Sequence, residues 1–156
     1  MFCYAPINYI NLMPQTENMA EKYKFLQHTA DAKFQAFGKT LGEAFANAAL
    51  AMFAVMFDPA DVKPKIEREI KTEGKDEKAL LYNWLEELLY LLDTEGFLLS
   101  RVKKITIKGK VLEAVVAGDL VANGYKTHGD VKAVTYNEMD IKKEKDKVIA
   151  QVVVDI

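Results

Sequence analysis

DEKALLYNWLEELLYLLDTEG, residues 76–96, is the stretch whose reading decides the fold. Leu80, Leu81, Trp84, Leu85, Leu88, Leu89 and Leu92 recur at the three- and four-residue spacing that gathers side chains on one wide helical face, while Glu77, Asn83, Glu87 and Asp93 fall elsewhere. Asp76 is a natural cap for the start of this helix, and Gly96 stands where a left-handed residue closes its end. Downstream the periodicity switches to two. Residues 101–108 and 111–117 flank Gly109 and Lys110 as one hairpin, and residues 131–141 and 148–156 flank the charged turn 142–147 as another, so the last third reads as a meander. Between the hairpins, residues 118–130 carry Asn123, Gly124, His128 and Gly129 with little apolar content, the pattern of a mobile loop.

Upstream, residues 23–26 and 32–37 read as two short strands on either side of the polar corner Gln27, His28, Thr29, Ala30, Asp31. Gly38 closes the second strand, and Thr40 with Glu43 forms the S/T-x-x-E box that satisfies the orphan amides of a helix start. A helix is expected from Leu41, with Leu41, Ala44, Phe45, Ala48, Met52, Val55 and Met56 on one stripe and Asp58 with Pro59 ending it. Residues 65–71 alternate weakly, as a partly exposed strand does. The regular pattern begins at Met19, so residues 1–18 are read as an extension or a misassigned start and are given no chemistry.

The 156 residues fit one domain able to bury about two thirds of the surface of its unfolded chain. Half of them are hydrophobic, and 21 Lys and Arg are interspersed with 23 Asp and Glu. That describes a globule rather than a disordered chain. A formal net charge of −2 offers no basic stripe for sequence-independent nucleic-acid binding, so any RNA is expected to be held by a partner. The single cysteine, Cys3, excludes an internal disulfide and has no zinc-binding spacing. No apolar run approaches the ~20 residues of a spanning helix, and the opening residues lack the basic start and small-residue cleavage site of a signal peptide. A cytoplasmic protein is expected.

The end of the sequence is where chemistry is most legible. Val148, Ala150, Val152, Val154 and Ile156 share one face of the last strand, which predicts that Ile156 packs on the core and that Asp155 faces the other way. A side-chain carboxylate and an α-carboxylate would then be held one residue apart, and two such anions repel unless a cation sits between them. The commoner reading of such an Asp, taken alone, is a solvated strand end with a neighbouring Lys as counter-ion. Asp31 alters that balance if the first strands pair beside the last, because a third carboxylate then joins the same place. Oxygen-only donors suit hard cations such as Ca²⁺ or Mg²⁺ rather than zinc or copper. His28 reads more simply as a locally hydrogen-bonded turn histidine than as a ligand, and His128 has no serine, cysteine or paired acid spaced to make a triad. Lys132, Thr135 and Tyr136, alternating with Glu138 and Asp140, read as a solvent-facing strand edge.

HTADAKFQAFGKTLGEAFANAALAMFAVMFD at residues 28–58, LLYNWLEELLYL at residues 80–91, VKAVTYNEMDI at residues 131–141 and the closing DI, in that order, resemble the archease family, and the resemblance covers nearly everything from Met19 onward. It implies an α+β fold, an antiparallel-rich β-sheet packed against two α-helices, with residues 19–156 as the archease domain. It also implies a divalent-metal site, usually described with calcium. Carried over residue by residue, the ligands are the side chains of Asp31 and Asp155 and the terminal carboxylate of Ile156. The implied function is non-enzymatic: activation of an RtcB-type tRNA-splicing RNA ligase, by promoting its guanylylation and multiple turnover, with RNA met only through the ligase. A more general chaperone or modulator of RNA-modifying enzymes, such as tRNA methyltransferases, is the alternative role attached to the family. Asn137 departs from the family, which commonly has histidine there. A third reading, a hydrolase whose metal activates water, lacks an accompanying acid or base.

Overall fold

The computed structural model describes residues 21–27 and 31–156; residues 1–18 and the corner residue His28 lie outside the described residues. Among those described, the chain forms strands β1 (Tyr23–Leu26) and β2 (Asp31–Gly38), helix α1 (Leu41–Ala54), strand β3 (Ile66–Glu73), helix α2 (Glu77–Glu95), and strands β4 (Phe97–Lys108), β5 (Val111–Leu120), β6 (Ala133–Glu144) and β7 (Lys147–Asp155).

The helices begin and end where side-chain chemistry dictates. Thr40 Oγ1 accepts from the Glu43 amide at 3.1 Å, and the Glu43 carboxylate reaches back to the Lys39 amide at 3.3 Å. These bonds satisfy amides that the first turn of α1 leaves without partners. Asp76 Oδ1 does the same for Ala79 at 2.8 Å, and Gly96, at φ 72°, closes α2 in the left-handed conformation. Trp84 is fully buried on α2, and its indole Nε1 donates to the Phe45 carbonyl of α1 at 2.9 Å. Phe45, Met52 and Phe53 of α1 join Leu81, Leu85 and Leu88 of α2 in one core with side chains from both sheets.

The class is α+β, with two helices against antiparallel strands, but the strands divide into two sheets. One has the order β1-β2-β7-β6 and the other β3-β5-β4. The two C-terminal hairpins therefore do not form a continuous meander: β4–β5 belongs to one sheet and β6–β7 to the other, and residues 121–132 cross between them. β4 starts earlier than its alternation suggests, since Phe97, Leu98 and Leu99 are all buried and mask the period of two. The connecting segment, expected to be mobile, is tied at several points. Asp119 is 2% exposed, and its Oδ1 accepts from the Leu120 amide at 2.9 Å and from Asn123 Nδ2 at 2.7 Å, while Oδ2 accepts from the Tyr125 hydroxyl at 2.8 Å. Further along, the His128 amide donates to the Met56 carbonyl at 2.7 Å. Gly129 passes so near α1's end that a Cβ there would stand 2.4 Å from the Val55 oxygen.

Two expectations follow from this packing. Replacing Trp84 with Phe removes the indole bond to the Phe45 carbonyl and leaves a smaller ring in the core, and should lower the unfolding free energy in urea by about 1–3 kcal/mol. The second concerns acid. The Tyr125 hydroxyl, with help from the Leu120 amide, Asn123 and Lys65, holds the Asp119 carboxyl below its ordinary value. A depressed folded-state value means the stabilisation is complete above the ordinary carboxylate range near pH 4 and drains away as pH falls through the folded value. Asp119→Asn should therefore flatten the loss of stability on acidification below about pH 4, followed by urea midpoints across that range.

Candidate metal-binding site at the end of the central strands

β2 and β7 are the two inner strands of the four-stranded sheet, and their register decides what meets at its end. They run antiparallel with Phe34 opposite Val152, Ala32 opposite Val154 and Asp31 opposite Asp155. Directly opposed residues carry their side chains on the same face with Cβ atoms about 5 Å apart. The inward row holds Val148, Ala150, Val152 and Val154, all buried. Asp31 and Asp155 belong to the outward row, Asp31 partly exposed and Asp155 exposed. The pairing on which Asp31's contribution depended is thus present.

Ile156 departs from expectation: its side chain is 36% exposed instead of packed on the core. The reason is where the sheet stops. Among the described residues β2 begins at Asp31 and β6 at Ala133, both opposite Asp155, so no described strand residue pairs past that rung. The main chain there is nonetheless fixed, because the Lys132 amide donates to the Asp155 carbonyl at 2.7 Å. Ile156 follows directly.

Among the described residues no three His, Cys, Asp or Glu side chains converge as a metal-holding group. The donor set that the sequence resemblance implies is the side chains of Asp31 and Asp155 with the main-chain carboxylate of Ile156. All of it is oxygen, and two like-charged side chains share one rung, an arrangement that is destabilising unless a cation offsets it. That chemistry fits a hard divalent ion and no soft one. His128 lies in the tied crossing segment, and its backbone is bonded to the end of α1.

The strand residues 131–141 do not form the regular edge expected of them. Thr135 pairs with Val153 and the next aligned pair is Asp140 with Gln151, so residues 136–139 bulge out against Val152 alone. Glu138 sits at φ 52°, left-handed backbone that a side-chain-bearing residue seldom adopts. The bulge folds over the outward face: Gln151 Nε2 donates to the Glu138 carbonyl at 2.8 Å, and Lys33 Nζ meets Glu138 Oε1 at 2.8 Å. Val153, between those contacts on the outward row, is consequently 0% exposed. On its other side the bulge presents Tyr136, stacked on Tyr82 of α2 with ring centroids 4.4 Å apart, and the exposed Asn137. Lys33 was not singled out from the sequence, and Glu138 was read there only as part of a solvent-facing strand edge. A signal existed in the phase of the apolar residues, since Val134 and Met139 are both buried yet lie an odd number of residues apart.

A profile of the Archease protein family (MTH1598/TM1083) matches residues 23–156. Protein archease of Pyrobaculum neutrophilum is 42% identical over 143 residues, covering 86% of this chain and 95% of the relative. Protein archease of Methanosarcina acetivorans is 39% identical over 144 residues, covering 89% and 99%. Among solved structures, the solution structure of Methanobacterium thermoautotrophicum protein 1598 superposes with a TM-score of 0.75 at 38% identity, over 86% of this chain and 99% of that one. The crystal structure of an archease, described as a possible chaperone, from Thermotoga maritima shares the fold with a TM-score of 0.60 at 17% identity, over 90% and 100%. Matched in sequence along both helices and both sheets, and in fold by two independent structures, the chain belongs to the archease family.

Proposed function

We propose that this protein is a cytoplasmic accessory factor of an RtcB-type RNA ligase, acting on the ligase's guanylylation and turnover without catalysing ligation itself. In this reading a divalent cation of the calcium kind is held by the side chains of Asp31 and Asp155 and the α-carboxylate of Ile156. The observation that carries it is the rung on which Asp31 faces Asp155 at the end of the two central strands. Membership in the archease family supports the choice of partner. The cation would neutralise carboxylates that otherwise repel, and would fix the end of the sheet as a defined surface for the ligase. RNA reaches the complex through the ligase, in keeping with a chain of net charge −2. Among the described residues no helix is long and apolar enough to cross a membrane.

A second reading, a chaperone or modulator of RNA-modifying enzymes such as tRNA methyltransferases, draws on the description of the Thermotoga maritima protein as a possible chaperone. Co-purification with each class of enzyme separates the two.

The central test is guanylylation of the ligase with and without this protein. Wild type should stimulate it, while Asp31→Ala and Asp155→Ala should abolish stimulation and keep the far-UV signature of the fold. Equal stimulation by both variants, with metal binding lost, refutes the role given to the cation. Calcium at about a hundred times its Kd should stabilise wild type by about 2.7 kcal/mol in thermal melts and leave the two variants unmoved. A C-terminal tag, which turns the α-carboxylate into an amide, should weaken calorimetric Ca²⁺ affinity. Unchanged affinity in the tagged protein removes Ile156 from the ligand set.

A further inference from the structure

Tyr136 and Tyr90 are two of the four large apolar side chains that stay exposed among the described residues, at 54% and 63%. Tyr136 is not a loose surface ring. It leaves the regular edge of β6 in the bulge at residues 136–139 and lies flat on Tyr82 of α2, the ring planes 5° apart. One face of the ring is thereby covered and the other is left to solvent. The bulge that holds it there is fixed at its backbone: Thr135 Oγ1 accepts from the Asn137 amide at 3.3 Å, and the Glu138 carbonyl accepts from Gln151 Nε2 at 2.8 Å, with Glu138 at φ 52°. A side-chain-bearing residue keeps left-handed backbone only where its surroundings impose it, and such strain gathers at ligand clamps and switches.

Helix α2 continues this face. Tyr82, Glu86 and Tyr90 follow one another at four-residue spacing, so Glu86 stands between the stacked pair and Tyr90 over about 12 Å of helix. Toward β6 the face is bounded by Tyr136, and toward β3 by Asn83, whose Nδ2 donates to the Glu73 carbonyl at 2.8 Å. The helix holds five acids and one base, Lys78. Glu77 is paired with Lys143 and Glu95 with Arg68, but among the described residues Glu86, Glu87 and Asp93 enter no ion pair. The last turn has no basic residue to meet the negative end of the helix dipole, so the acids there are placed against the helix's own stability. Open tyrosine faces beside uncompensated carboxylates suit a guanidinium, which is planar, stacks on aromatic rings and donates paired hydrogen bonds to a carboxylate. The same acids repel phosphates, which sets a nucleic-acid strand against this face.

We infer that the Tyr136–Tyr82 stack, Glu86 and Tyr90 form a docking face for an arginine-bearing segment of a protein partner. An arginine covers the open face of Tyr136, and Glu86 draws the basic charge of the segment along α2 toward Tyr90. The face needs neither Asp31 nor Asp155, and it recognises its partner whether or not a cation is bound.

The test is an amide NMR titration of the full chain with the blocked peptide acetyl-Gly-Arg-Gly-Arg-Gly-amide, with its lysine counterpart and with an oligouridylate. The arginine peptide should shift the amides of residues 82–93 and 135–137 saturably and leave the far ends of both sheets unmoved. The lysine peptide should bind roughly two- to fivefold more weakly, since an ammonium cannot stack as a plane. Tyr136→Leu keeps apolar area without an aromatic face and should weaken the arginine peptide roughly two- to fivefold at an unchanged urea midpoint, while Tyr136→Phe should behave like wild type. Glu86→Gln should weaken it by up to roughly fivefold, and by less in high salt. If Tyr136→Leu disturbs the fold, Glu86→Gln, which lies wholly on α2, carries the test. Equal affinity for the two peptides overturns the docking face, as does wild-type affinity in Tyr136→Leu and Glu86→Gln, or shifts scattered over the surface. Saturable binding of the oligouridylate at Tyr136 makes the face an RNA platform and overturns the protein partner. Shifts at residues 82–93 that appear on raising protein concentration alone make the occupant a second copy and overturn it likewise. All of these outcomes leave the metal reading standing.

Discussion

The antiparallel pairing of β2 with β7 is the constraint on which the rest of the molecule depends. Its eight rungs run from Asp31 opposite Asp155 to Gly38 opposite Val148. Of the inward row, Phe34, Ala36, Ala150 and Val152 are 0% exposed, covered by α1 and its neighbours. Because strand side chains alternate with a period of two, sliding one strand by a single residue would move that whole row to solvent and bring Lys33 and Gln35 inward. The hydrophobic effect fixes the register, and the register brings the two aspartates face to face. The outer strands and the indole bond between α2 and α1 build on a sheet whose alignment is already specified.

Where that sheet ends matters as much as how it is aligned. An inner strand normally finds partners along its full length, yet among the described residues both of its neighbours begin at the Asp155 rung. Val154 is the last inward residue with cover, and one position later the chain emerges. Carboxylates are inexpensive to keep at such an edge, where water still solvates them, and remain within reach of any ion arriving from solution. Nearby, the β6 bulge adds a second irregularity on the same face, and its reversed Glu138 backbone is retained by contacts to Lys33 and Gln151 rather than by any local preference.

Both helices were legible in the sequence almost to the residue, since Thr40, Asp76 and Gly96 are caps whose chemistry is local. The strands were legible as strands, but their division into two sheets was not: pairing is set by partners far apart in sequence, and the alternation within a strand says nothing of which sheet it joins. The crossing segment looked loose because its residues are polar; in the fold they bond to Asp119, a buried acid whose several partners come from that same segment and its flank. Ile156 kept the apolar parity of its strand but lost its neighbours, a fact of topology rather than of pattern. Asp155 was legible as a candidate from its place next to Ile156 at the end of an alternating strand, and Asp31 from the polar corner it shares with His28. The contact of Lys33 with Glu138 was not legible, since it requires a bulge betrayed only by the phase shift between Val134 and Met139.

The distance between the central strands along the chain also shapes how the protein folds. Gln35 and Gln151, bonded across the sheet, are 116 residues apart. A growing chain lengthens by about 5–20 residues per second, so β2 and α1 are exposed to the cell for roughly ten seconds before β7 is made. During that interval Phe34 lacks its partner Val152, the part of α1 that packs on β7 is uncovered, and β2 presents an unpaired edge on the side away from β1. Native contacts so remote in sequence also slow the search for the folded state. Nascent chains of this protein therefore pass through a stage in which their own future core is the surface most in need of shelter.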